Sequence, residues 1–168
     1  TSCLEGTVFT LVQPPRPPLI IIGAVHISQH LAPMAAQLGF DVTVIDPRRL
    51  FATENRFPGV TMQDCWPDEA LAQMVLDEDT ALVTLTHDPK IDDTALHLGL
   101  AAPLCYVACL GSRKTHAARL QRLAAAGFDA AITSRIHGPA GLDIGAKTPA
   151  EIAVSVLAEL IASYRQRQ

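Results

Sequence analysis

Four runs of apolar, largely β-branched residues each end at a small or polar residue, and that pattern leaves few folds open. Leu19-Ile20-Ile21-Ile22 ends at Gly23, Asp41-Val42-Thr43-Val44-Ile45 at Asp46-Pro47, Ala81-Leu82-Val83-Thr84-Leu85-Thr86 at His87-Asp88-Pro89, and Leu104 to Leu110 at Gly111-Ser112. A short apolar run without polar alternation reads as a strand buried on both faces, the habit of a parallel sheet. Val60-Thr61-Met62-Gln63 adds a weaker strand, making five. Helical periodicity fills the intervals. Ile27, Leu31, Ala35 and Leu38 share one face, with Pro33 either delaying or kinking that helix. Further helices are expected over Pro67–Leu76, from Pro89 to about Leu98, and after Ser112, with Gly39, Gly99 and Gly127 as stops. The helix after Ser112 turns Leu120 and Leu123 inward and leaves Arg113, Lys114, Arg119 and Arg122 to solvent. Thr148, Pro149 and Glu151 spell the start of a last helix with a capping box, whose buried stripe is Ile152, Val156, Leu160 and Tyr164. Strands alternating with helices over short connections define an α/β fold of three layers, an open parallel sheet with helices on both faces.

The length of 168 residues suits one domain at about 150 residues each. Thr7 to Val12 reads as a short edge strand and Gln13-Pro14-Pro15-Arg16-Pro17-Pro18 as a stiff, extended linker. Residues 1–18 are therefore set apart as strand and linker, and residues 19–168 as the domain. Apolar residues make up 49% and charged residues 18%, with no tract of twenty apolar residues, which excludes a disordered or membrane-spanning chain. A formal charge of −4 and the lack of a long Lys/Arg run argue against a nucleic-acid partner. Cys3, Cys65, Cys105 and Cys109 have neither CxxC spacing nor the density of a disulfide scaffold. Cys105 and Cys109 are expected on one face of their strand as core thiols, and Cys65 beside Trp66 as the more accessible one. The chain start lacks the features of a signal peptide, so a reducing cytoplasm is the expected setting.

Ligands of an open parallel sheet bind outside the carboxyl ends of its strands, near the switch in strand order. The ends here carry Gly23–His26, Asp46–Arg48, Thr86–Asp88 and Gly111–Lys114. The first turn has the layout of a dinucleotide site, with Asp46 lying 23 residues past Gly23 where about 20 is usual. Val25 and Ser28 stand at the second and third glycine positions, and a side chain at the second obstructs a pyrophosphate. Three readings stay open for it: a dinucleotide site, a purely structural turn, or a site for another phosphate-bearing ligand. Gly111-Ser112-Arg113-Lys114-Thr115-His116 joins free N–H groups to two cations and would attract an anion. Alternatively Ser112 only caps the helix while the cations are solvated. His116 shares the face of Arg113. His87 could act as base or ligand, or stand by while Asp88 caps the next helix. No His or Cys set has metal-ligand spacing, so no dedicated metal site is expected. Arg135 to Ala146, with three glycines and a proline, suggests a backbone in special conformations for structure or function.

Five motifs in order, Ile22-Gly23-Ala24-Val25-His26, Val44-Ile45-Asp46-Pro47-Arg48, Thr86-His87-Asp88-Pro89-Lys90, Gly111 to His116 and His137 to Ala146, resemble the XdhC/CoxF family. These are accessory factors for xanthine dehydrogenase and related molybdenum hydroxylases. The resemblance covers roughly Leu19 to Ile161 and implies a Rossmann-like domain. It implies a chaperone, not a catalyst, that binds molybdenum cofactor (molybdopterin), protects it during sulfuration and hands it to a xanthine dehydrogenase-type apo-enzyme. A cysteine desulfurase and a second copy in a homodimer join the expected partners. On this reading Ser112, Arg113, Lys114 and the N–H groups beside Gly111 hold the cofactor's phosphate. His26, Asp46 and His87 line the crevice, and Gly23, Arg48, Asp88, His116 and Asp143 complete the site. Two departures stand out. The family's first turn usually reads Gly-Ala-Gly-His, where this chain has Val25, and many relatives carry a cysteine-containing domain before the proline linker. The chain is therefore expected to be a short form or a fragment. An NAD(P)-dependent oxidoreductase with a degenerate turn and a pure interaction module are the alternatives.

Overall fold

The computed structural model describes residues 2–5, 8–11, 15–48 and 56–166. The sheet grows outward from its most apolar run. Strand β3 (Pro18–Ile22) pairs in parallel with β4 (Asp41–Ile45) on one side and with β6 (Ala81–Thr84) on the other. Beyond β4 lies β5 (Thr61–Gln63), and beyond β6 come β7 (Tyr106–Cys109) and β8 (Ile136–His137). The order is β5-β4-β3-β6-β7-β8, all parallel, so the chain reverses direction across the sheet between β3 and β6. The sixth strand was not expected from sequence: β8 is two residues long, too short for any periodicity to reveal it.

Alternation along each strand feeds two apolar layers. Leu19, Ile21, Val42, Val44, Val83 and Ala108 face helices α1 (His26–Gln37) and α6 (Pro149–Arg165). Ile20, Ile22, Leu82, Val107 and Cys109 face α2 (Pro67–Leu71), α3 (Pro89–Ala101) and α4 (Arg113–Ala125). A short helix, α5 (Ala130–Thr133), leads into β8. Every residue of β6 and β7 is buried, and burial of a branched apolar side chain contributes about 1.5–3 kcal/mol. The capping box forms as expected: Glu151 N–H donates to Thr148 Oγ1 (3.2 Å) and Thr148 N–H to Glu151 Oε2 (2.9 Å). No helix among the described residues is long and apolar enough to cross a membrane.

Several local expectations change. The N-terminal segment forms two antiparallel strands, β1 (Ser2–Glu5) and β2 (Val8–Leu11), in place of one; Thr7, Val12, Gln13 and Pro14 lie outside the described residues. The same is true of 49–55, most of the loop expected over Arg48–Pro58. Helix α1 begins at His26 and includes Pro33, so the proline does not delay its start. Helix α2 stops at Leu71, short of the expected Leu76, and Val75 beyond it is 80% exposed. Gly99 lies inside α3 instead of ending it: a Cβ there would overlap Leu82 Cδ2, so the glycine permits close packing on β6. Cys105 precedes β7 and packs with the α1/α6 layer, while Cys109 joins the other, so the two thiols do not share a face. Arg119, expected in solvent, is 2% exposed. It sits four residues before the buried Leu123 on the inner face of α4, and the Leu110 carbonyl accepts from its Nη2 at 3.0 Å.

Candidate functional site at the strand ends

At the switch point, Gly23 leaves β3 at φ +111°, a conformation only glycine adopts easily, and a Cβ there would lie 2.7 Å from Thr86 Cγ2. No side chain caps α1, whose Ser28 Oγ donates back to the Val25 carbonyl (2.7 Å), and exposed His26 opens the helix. Asp46 is fully buried at the end of β4 and holds four hydrogen bonds. Its Oδ2 accepts from Ala24 N–H and Arg48 Nη2, both at 2.7 Å, and its Oδ1 from Arg48 N–H (3.0 Å) and Nε (2.8 Å). Burial alone would raise the pKa of this carboxyl. The bonds from Arg48 and Ala24 outweigh it and hold the pKa below the ordinary range. A ribose hydroxyl could bond Asp46 only by displacing one of these donors, so the carboxylate is committed to tying the first turn to the second.

Across the switch, β6 ends in a turn whose middle residue, His87, is exposed and held at φ +63°, uncommon for any residue but glycine. Asp88 caps α3, its Oδ1 accepting from Lys90 N–H at 2.9 Å. Arg48, in the field of Asp88 and Asp92 as well as bonded to Asp46, brings the β4 and β6 ends into one electrostatic neighbourhood.

One strand further on, Gly111 (φ +144°) leads into α4, where Ser112 Oγ accepts from Thr115 N–H at 3.1 Å. Arg113 and Lys114 are exposed, and their backbone N–H groups have no acceptor among the described residues. His116 does not share the open face with Arg113. It is half-buried against Gly138, where a Cβ would overlap its ring, and its Nδ1 has no partner among the described residues. Burial, then the Arg119 charge, lower its pKa. Facing the turn is the loop that follows β8, entered through a cis Gly138–Pro139 bond. Turn and loop enclose a cavity of about 420 Å³ whose wall includes Gly111, Arg113, Leu142, Asp143, Ile152 and Ser155.

The sequence-derived residues thus fall into two groups. Gly23, His26, Asp46, Arg48, His87 and Asp88 ring the switch point, whereas Gly111, Arg113 and Asp143 line the cavity, with Ser112 and Lys114 at its helix edge. Sequence reading missed the residues beneath. Glu159 Oε2 accepts from Tyr106 Oη (2.6 Å) and Gly141 N–H (2.9 Å), and His137 Nδ1 lies 3.2 Å from its Oε1, which fastens the loop to α6. Its position three past the buried Val156 was the available signal. Arg135 donates to the carbonyls of Leu100, Ala102 and Leu104, so this part of the glycine-rich segment is structural. Cys65 is half-buried, and burial together with Glu69 and Asp64 pushes its thiol pKa up, away from the reactive thiolate. Among the described residues no group of three or more His, Cys, Asp or Glu could hold a metal ion.

Residues 19–160 match the family described as the XdhC Rossmann domain. The chain is 35% identical over 153 residues to a probable xanthine dehydrogenase subunit of Bacillus subtilis, covering 90% of this chain and 44% of that protein. It is 33% identical over 150 residues to the molybdenum cofactor insertion chaperone PaoD of Escherichia coli, covering 89% and 41%. A crystal structure of a xanthine dehydrogenase from Bacillus halodurans superposes with a TM-score of 0.79 at 30% identity, over 92% of this chain and 44% of that one. The chain spans less than half the length of each of these three proteins.

Proposed function

This chain belongs to the XdhC Rossmann domain family, and on that premise we propose that it serves in molybdenum-cofactor maturation for a xanthine dehydrogenase-type hydroxylase. The observation that carries the reading to particular residues is the cavity at the end of β7, where an uncapped pair of N–H groups, a cation and apolar walls meet. Molybdopterin has matching parts: an anionic phosphate and a flat heterocycle. The phosphate would sit on the Arg113 and Lys114 N–H groups with the two side chains around it, since a helix start and its cations favour an anion. Leu110, Pro139 and Ile152 offer apolar surface to the heterocycle, and Asp143 an acceptor for its ring N–H groups. His26, Arg48 and His87 face the neighbouring switch point, where they would meet whatever part of the ligand extends beyond the cavity. When bound, the cofactor supplies the redox chemistry of the hydroxylase that receives it. The chain's own part is to hold the phosphate, shield one face of the heterocycle from water and release the group to the apo-enzyme. Protection during sulfuration, with a cysteine desulfurase as a second partner, extends the same reading.

The test is equilibrium binding of anaerobically prepared molybdenum cofactor, with NAD and NADP titrated in parallel. Near-stoichiometric cofactor binding is expected, weakened about tenfold or more by Arg113→Ala with Lys114→Ala, as charge-assisted hydrogen bonds contribute about 1.5–3 kcal/mol each. Unchanged affinity in that variant would remove the phosphate from this turn. Saturable dinucleotide binding without cofactor binding would replace the reading with an oxidoreductase, which the four occupied positions on Asp46 oppose.

A further inference from the structure

Beneath the crevice rim lie two charged side chains that are almost completely buried. Arg119 of α4 is 2% exposed and Asp92 of α3 is 1% exposed. Arg119 Nη2 donates to the Leu110 carbonyl (3.0 Å), at the root of the β7–α4 turn, and stands 3.9 Å from Asp92 Oδ2. The other Asp92 oxygen accepts from Thr86 Oγ1 at 2.7 Å, and that hydroxyl accepts from Asp88 N–H at 3.0 Å. Contacts therefore run from Leu110 through Arg119, Asp92 and Thr86 to Asp88, from one rim turn to the next. Packing extends the chain at both ends: the Thr86 methyl closes on Gly23, and His116, one turn before Arg119, closes on Gly138.

An apolar pair would fill this space at less cost, since buried ions repay their desolvation only with full sets of partners. Arg119 falls short of a full set: its Nε and Nη1 have no partner among the described residues. What the ions add is direction, because each is bonded to an atom of a different turn. A non-glycine residue with positive φ, such as His87 between Thr86 and Asp88, persists where its surroundings over-determine it.

We propose that Arg119 and Asp92 are positioning residues that lock the β6–α3 and β7–α4 turns into one rigid rim, fixing His87 relative to the Gly111–Lys114 turn. This goes beyond the preceding reading and holds whichever ligand the rim serves.

Amide hydrogen exchange by NMR on the full chain tests it. In Arg119→Met, Thr86 and Asp88 amides are expected to exchange about tenfold faster although Arg119 touches neither, and in Asp92→Asn the Thr115 and His116 amides likewise. Strands β3 and β4 stay unchanged, and Arg119→Lys, which keeps the charge and a donor for Leu110, restores the slow exchange. If each variant loosens only the turn it contacts, or loosens all strands alike, the proposal is overturned. Should Arg119→Met fail to fold, Asp92→Asn against Arg119→Lys decides by the same comparison. Inorganic phosphate gives the second readout. Its addition is expected to move the His87 ring resonances in the wild type, and in Arg119→Met to move the Ser112 and Lys114 amides but leave His87 still. A His87 response that survives in Arg119→Met counts against the coupling. No phosphate response at all in the wild type would overturn the anion turn proposed above, and the exchange comparison would still decide the rim.

Discussion

Asp46 shows how one buried carboxylate can be spent on architecture in a position that promises ligand binding. It fastens the β3 end, through Ala24 N–H, to the β4 end, through Arg48. Its lowered pKa means that the folded state holds its proton less tightly than the unfolded chain does. The stability it contributes is therefore present above the unfolded carboxylate pKa and is lost as pH falls through the lowered, folded value. Arg48 is about one-third exposed, which screens the pair, so Asp46→Asn is expected to cost about 1–3 kcal/mol near neutral pH. The same variant should show a smaller loss of stability on acidification than the wild type; urea midpoints taken from neutral pH down to below the ordinary carboxylate pKa of about 3.9, toward the lowered folded value, would measure both effects. Gly99 makes a second residue-scale case. Helix propensity alone says that Gly99→Ala stabilises α3 by about 1 kcal/mol, but the overlap with Leu82 reverses the sign. A net loss of about 1–3 kcal/mol is expected in thermal or urea unfolding.

Helix α6 is the element on which the cavity depends. Its inner face carries Ala153, Val156, Leu157 and Leu160 into the core, and Ser155 and Glu159 reach the loop that follows β8. Leu142 N–H donates to the Ser155 carbonyl at 3.2 Å, and a Cβ on Gly141 would collide with Ser155 Oγ. Loosening the start of α6 should therefore loosen the cavity wall. Thr148→Ala removes one half of the capping box and is expected to cost about 1 kcal/mol. Faster exchange of the Gly141 and Leu142 amides would report the loss at the wall, and unchanged exchange there would separate the cap from the loop.

At the scale of the whole chain, acid titration sums opposite contributions. Burial raises the Asp92 pKa past the opposing effects of Thr86 and Arg119. Glu159 goes the other way: burial acts to raise its pKa, but the bonds from His137, Tyr106 and Gly141 outweigh it. Glu159, like Asp46, loses its stabilising effect as pH falls through its lowered value, whereas protonation of Asp92 favours the folded state. Glu159→Gln is thus expected to flatten the acid limb of the stability curve, and Asp92→Asn to steepen it relative to its own neutral value; circular dichroism melts across that range would read both. The sequence by itself determined five of the six strands of the parallel sheet, the capping box and the placing of polar turns at strand ends, because periodicity and capping act between residues a few positions apart. It also carried the family's motifs. Only the tertiary structure decided that Arg119 is buried, that Asp46 is fully bonded, that β8 exists and that Glu159 holds the cavity wall. Those outcomes rest on desolvation and hydrogen bonding between groups tens of residues apart, such as Tyr106 and Glu159, and such contacts leave no local pattern in the chain.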